Sequence, residues 1–355
     1  MTTTGHVHFY IGTYTNPPST STGIARLSLN TETGELTRLD EVVVQRNPSY
    51  LTTTEHGLYT FSEMDRNEGA ELAFFRGSES VSLPINGDYP CHLDIKEPLL
   101  AVANYGSGNV SVFQLDRDGK PLGLLADLYV DGCGPNLERQ TSPHAHQVTF
   151  LKHSHQLVVV DLGSDSVLIY DYDAQPDFSL SQVIHLPAGS GPRHLVFNQQ
   201  ESTAYVVCEL SETMIVLVKH QDKWLISNQT ELLEGEENQQ AAAAIRLSQD
   251  ETFLYVSCRA QNKISVFDVS GDTPKRRAAI HCEGVFPRDF VLSHDQKWLL
   301  VANQHSNNVV SFRRNPQTGE ITPTGYDCEI GSPVCMYCRT TFVTNNAEAA
   351  GNRKA

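Results

Sequence analysis

Short apolar runs rich in valine and leucine recur along the chain and are cut by polar turns; Leu100-Ala-Val-Ala-Asn104, Val158-Val-Val-Asp161 and Leu299-Leu-Val-Ala-Asn303 are typical. Runs this short, bounded by turn residues, predict buried strands, and no stretch keeps a helical period for any length. Turns such as Tyr105-Gly106-Ser107-Gly108-Asn109 and Gly163-Ser164-Asp165-Ser166 follow, with residues that tolerate positive φ. Then comes a further strand: Val110-Ser-Val-Phe113, Val167-Leu-Ile-Tyr170, Ile264-Ser-Val-Phe267 or Val309-Val-Ser-Phe312. Their alternation predicts one packed face and one wetter face.

Upstream of the apolar runs stand small, often proline-containing openers. They are Asn47-Pro48-Ser49-Tyr50-Leu51, Tyr89-Pro90-Cys91-His92-Leu93, Ser142-Pro143-His144-Ala145-His146, Gly191-Pro192-Arg193-His194-Leu195, Ala241 to Leu247, Phe286-Pro287-Arg288-Asp289-Phe290 and Ser332-Pro333-Val334-Cys335-Met336. Aligning the runs that follow on Thr13, Glu63, Asn104, Asp161, Glu209, Cys258 and Asn303 gives separations of 50, 41, 57, 48, 49 and 45 residues. A strand-built repeat of that period predicts an all-β, seven-bladed β-propeller with four antiparallel strands per blade. The first unit starts at its second strand, His8 to Gly12, so the opener at Ser332 supplies its inner strand. Pairing of the N- and C-terminal strands then closes the ring and removes its open edges. One propeller domain is expected over residues 1–343, with a polar, alanine-rich, disordered tail over 344–355.

The formal charge of −16, from 42 acidic and 26 basic residues, repels phosphate backbones and anionic lipid heads, so nucleic acid and membrane are poor partners. A site for an anion must be a local basic cluster. The first residues lack a basic head followed by an apolar core, and no apolar run reaches the roughly 18 residues of a membrane helix. A cytoplasmic protein is expected, with its eight cysteines as thiols. Cys335 and Cys338, with Cys328 nearby, have the spacing of half a zinc site, but they fall in a predicted strand without a second ligand pair, so no metal is expected.

In a propeller the inner strands run along the central channel, and opener residues converge on one axis. His92, His144, His146, Arg193, His194 and Arg288 are brought together this way, joined by Glu209 and Arg259 from the following strands. Guanidinium forks bind carboxylate or phosphate bidentately, so the set suits a small anion. His144 or Glu209 could activate water or a substrate C–H, with the remaining charges holding negative charge on oxygen. Glu209 lies in the apolar run Tyr205-Val-Val-Cys-Glu209-Leu, where a carboxylate needs a partner; Arg193 and Arg259 are the natural ones. The plainer alternatives are histidines plugging the channel and a structural ion pair. Inserts at Asn16–Thr22 and Gly132–Gln140 mark loops, the second leading directly to the His144/His146 pair. No nucleophile elbow and no phosphate loop occurs in the sequence.

The motifs Tyr10-Ile-Gly-Thr-Tyr14, Val102-Ala-Asn-Tyr-Gly106, Ser142-Pro-His-Ala-His146, Gly191-Pro-Arg-His194, Cys208-Glu-Leu210, Cys258-Arg259, Phe286-Pro-Arg288 and Ala302-Asn-Gln304, in that order, resemble the lactonase family of seven-bladed propellers. That family includes bacterial 6-phosphogluconolactonases and the fungal 3-carboxy-cis,cis-muconate lactonizing enzyme. The resemblance implies hydrolysis of 6-phospho-D-glucono-1,5-lactone to 6-phosphogluconate, the second step of the oxidative pentose phosphate pathway, without metal or organic cofactor. It implies a pocket of His144, Arg193, Glu209, Arg259 and Arg288. His144, Glu209 and Arg193 are the expected catalytic residues, with Arg259, Arg288, His92, His146, His194 and Gln304 expected around the substrate. Its ligand would be a small anionic lactone, bound by a monomer or weak homodimer. A carboxymuconate cycloisomerase would use the same arginines, and side-by-side assays separate the two. A non-enzymatic WD or kelch propeller is the other alternative, but neither Trp224 nor Trp298 precedes an aspartate and the paired glycines of kelch units are missing.

Overall fold

The computed structural model describes residues 5–173 and 177–338. The expected tail lies outside them. Seven four-stranded antiparallel sheets form a ring, as the repeat predicts. Six blades use consecutive strands; the first combines Pro333–Cys338 with His6–Thr13, Gly23–Asn30 and Leu36–Val44. In that blade Phe9 pairs with Cys338 and Ile11 with Met336, closing the ring as expected.

The hydrophobic core is divided into seven clusters, each filled from two adjacent blades. At the closure, Phe9, Ile11 and Leu27 of the first blade pack on Trp298 and Leu300 of the seventh. This corrects the reading of the third strands. Val110–Phe113, Val167–Tyr170, Ile264–Phe267 and Val309–Phe312 are buried throughout, because each blade has a neighbour on both faces. Half-buried and exposed positions alternate instead on fourth strands such as Glu79–Pro84, at the rim of the ring.

The inner strands open with a shared irregularity. Pro90 pairs with Asn104 and His92 with Ala103, which leaves Cys91 as an extra residue; Arg193, His146 and Arg288 occupy the same position in their own strands. A β-bulge of this kind frees a side chain from the ladder and re-aims it. These bulged residues line a narrow chamber at the axis, together with Ser49 and Glu63.

Candidate active site

A ring of seven backbone hydrogen bonds defines the mouth above the bulges. The amides of Tyr14, Glu63, Tyr105, Leu162, Glu209, Arg259 and Gln304 donate to the carbonyls of Ser332, Asn47, Tyr89, His144, Gly191, Ala241 and Phe286. The sequence alignment was therefore one residue short in five blades: the positions equivalent to Glu63 and Glu209 are Tyr14, Tyr105, Leu162, Arg259 and Gln304. The alignment followed the last residue of each strand-like run, whereas the channel is served by the residue after it. At the rim Asn47, Tyr89, Phe286 and Ser332 hold φ of 44°, 51°, 66° and 42°. Each such residue costs on the order of 1 kcal/mol relative to ordinary backbone, a strain characteristic of functional sites.

Glu209 is the centre of the mouth. Its Oε1 lies 2.8 Å from Arg139, and its Oε2 lies 3.0 Å from Arg193 Nε and 2.9 Å from Arg259. The Arg193 contact is an ion pair outside hydrogen-bond alignment. Burial alone would raise the carboxyl group, but Arg259, Arg193 and Arg139 outweigh it and hold Glu209 well below the usual carboxylate range. Burial and the like charge of Arg259 pull Arg193 down to about 10, still protonated at neutral pH. Arg259 is fixed further by bonds from Nε to the Ala241 carbonyl and from its terminal nitrogen to that of Ala242, 3.0 and 3.2 Å. Both expected partners of Glu209 are thus present, and Arg139 is a third that sequence reasoning missed. It comes from the insert at 132–140, whose loop character was legible while the residue that would reach the site was not.

His144 belongs to the same cluster. Its ring stacks on Tyr105 with centroids 4.5 Å apart, and the Tyr105 hydroxyl accepts a bond from Arg139 at 3.2 Å. His144 Nδ1 lies 2.7 Å from the Tyr105 carbonyl oxygen. A carbonyl only accepts, so Nδ1 carries a proton, and Nε2 is the ring nitrogen left to exchange one.

Arg288 and Gln304 form a second group on the other side of the mouth. Arg288 donates to the Tyr14 hydroxyl at 2.8 Å and to Gln304 Oε1 at 3.3 Å, and its guanidinium carbon lies 5.1 Å from the centre of the Tyr14 ring. The Tyr14 hydroxyl lies 3.0 Å from each oxygen of Glu63. Tyr14 and Glu63 were not among the candidates, although both lay within segments that the motifs and repeat had marked.

His92, His146 and His194 sit deeper, ring against ring, with centroids of His92 and His146 5.5 and 5.3 Å from His194. Burial, aided by Arg246 or Arg193, holds all three well below the usual histidine value, so they are neutral at pH 7. They form the floor of the site and bring no charge to an anion. Among the described residues no cluster of three or more His, Cys, Asp or Glu is arranged to hold a metal ion. Cys335 and Cys338 lie in the closing strand, and all eight cysteines are free.

An anion-receptive mouth with a fixed carboxylate and an oriented imidazole, on a closed ring of seven sheets, defines an enzyme-like propeller. The model of the family described as "Lactonase, 7-bladed beta-propeller" matches residues 8–338. A 6-phosphogluconolactonase of Bacillus subtilis is 31% identical over 92% of this chain and 97% of that protein. Another, from Formosa agariphila, is 31% identical over 88% and 94%. Among solved structures, a periplasmic gluconolactonase of Pseudomonas aeruginosa superposes with a TM-score of 0.86 at 27% identity, covering 94% of this chain and 99% of that one. The chain belongs to the seven-bladed β-propeller lactonases and is a lactone-hydrolysing enzyme. No helix among the described residues is long and apolar enough to cross a membrane.

Proposed function

We propose that the protein hydrolyses 6-phospho-D-glucono-1,5-lactone to 6-phosphogluconate, the second step of the oxidative pentose phosphate pathway, in the cytoplasm where sugar phosphates are made. The observation that carries this reading is the excess of guanidinium over carboxylate at the mouth, where Arg139, Arg193 and Arg259 share Glu209 and Arg288 stands beside them with Glu63 nearby but bonded to Tyr14 instead. Four arginines gathered within an acidic chain suit a substrate that carries charge of its own and develops more during reaction.

In this mechanism His144 Nε2 takes a proton from water as the oxygen attacks the lactone carbonyl. The negative charge on the carbonyl oxygen is met by guanidiniums already held in place, which supply the positive charge the intermediate requires. Collapse breaks the bond to the ring oxygen, which takes the proton from His144, and the new acid ionises. Glu209 is a poor base because the arginines stabilise its anion; its part is to hold those guanidiniums in position. Such lactones also open spontaneously, so the acceleration required is modest.

The test follows acid release at fixed pH from the phosphorylated lactone, from unphosphorylated glucono-1,5-lactone and from a carboxymuconate. Opening of the phosphorylated lactone well above the spontaneous rate is expected. Equal or better turnover of the unphosphorylated lactone, as the gluconolactonase neighbour suggests, or turnover of carboxymuconate alone, would overturn the reading.

A further inference from the structure

The four mouth arginines are not equivalent. Arg139, Arg193 and Arg259 each contact the Glu209 carboxylate directly. Arg288 has no carboxylate within ion-pair distance among the described residues; its side-chain partners are the neutral Tyr14 hydroxyl and the Gln304 amide oxygen. Yet Glu63 lines the same narrow chamber. Tyr14 stands between them, accepting from Arg288 and placing its one hydroxyl proton toward both oxygens of Glu63. Burial raises the Tyr14 phenol far above neutral pH, so that proton is always present.

We propose that Tyr14 is a positioning residue that keeps Glu63 from capturing Arg288, leaving Arg288 charged and available for the second anionic group of the substrate, the phosphate. The identity of that group rests on the lactonase reading above; the spacer role rests on the geometry. Direct pairing with Glu63 would cancel the charge that attracts the ligand, whereas a phenol satisfies both groups while remaining neutral. Gln304 secures Arg288 from the other side with an equally neutral acceptor. Division of labour follows: the arginines on Glu209 face the reacting carbonyl, and Arg288 reads the far end of the molecule.

The test measures calorimetric binding of 6-phosphogluconate and of gluconate to the full-length protein. The readout is the ratio of the two affinities, which a general loss of structure would not shift selectively. Tyr14→Phe is expected to lower that ratio by at least about fivefold, the scale of one unit charge about 4 Å away in bulk water, and by more where the site excludes solvent. Adding Glu63→Gln to the same chain should restore it, because no carboxylate is left to capture Arg288. An unchanged ratio in Tyr14→Phe, or a double variant as weak as the single, overturns the proposal. Should Tyr14→Phe fail to fold, Gln304→Glu decides: it sets a carboxylate where Arg288 now meets a neutral amide oxygen, so the ratio must fall, and an unchanged ratio refutes the idea. A wild-type protein that binds 6-phosphogluconate no better than gluconate also refutes it. Lack of lactone turnover would instead count against the proposed reaction and leave this comparison readable.

Discussion

Replacing Glu209 by glutamine keeps the side chain's shape and removes the one negative charge that three guanidiniums share. Arg139 is 35% exposed and can turn to water, but Arg193 and Arg259 are 4% and 9% exposed and cannot. Two buried cations therefore lose their counter-charge. Removing one member of a buried ion pair costs about 3–5 kcal/mol. Over about 330 described residues the unfolding entropy near the midpoint is about 0.7 kcal/mol/K. A loss of about 4 kcal/mol thus lowers Tm by about 6 °C. The pH dependence has a definite sign. Glu209 is more acidic folded than unfolded, so its contribution is complete above the unfolded value of about 4.3 and fades only as pH falls toward the depressed folded value. Thermal melts of wild type and Glu209→Gln should stay separated by a constant gap from pH 8 to about pH 5, and the gap should close at lower pH. Because the pair is buried, added salt should change the gap little. Melting within about 1 °C of wild type at pH 7 would refute the clamp, since that is far below the expected shift.

Three further outcomes follow from the same geometry. His144→Gln should lose about 10²- to 10⁴-fold in kcat on the phosphorylated lactone with an unchanged melting curve, as measured by acid release, because the amide cannot cycle a proton. Asp94, whose carboxylate accepts the Phe150 amide at 2.7 Å, is raised by burial to about 6. A raised acid binds its proton more tightly folded than unfolded, so it weakens the fold above that value and not below the unfolded one. Asp94→Asn should accordingly stabilise the protein by about 1 kcal/mol at pH 8 and by almost nothing at pH 4 in denaturant titrations, allowing for the group's partial exposure. Truncation after Gly331 removes the strand that pairs with Phe9 to Thr13; the whole ring should lose its cooperative melt, and an unchanged Tm would contradict closure.

The local code of short apolar runs, turns and openers was enough to count the blades, because each blade repeats the same run of strands and strand structure has a short-range signature. It also located the closure, since a first unit without an inner strand and a last opener without a blade can only complete each other. His144, Arg193, Arg259 and Arg288 were legible because openers and strand ends of a ring must meet at its axis. Tertiary structure decided the rest. The bulge that frees Arg193 and Arg288 leaves no mark in hydrophobicity, and the alignment, made where each second strand ends, slipped by one residue in five blades because the residue facing the mouth lies just beyond the strand. Whether a strand is wet on one face depends on the neighbouring blade, which local alternation does not see. Arg139 reaches Glu209 across 70 residues of chain, and Tyr14 meets Arg288 across 274. Contacts so distant in sequence, together with the burial that makes three histidines neutral and the arginines that hold one buried glutamate as an anion, exist only once the ring has closed.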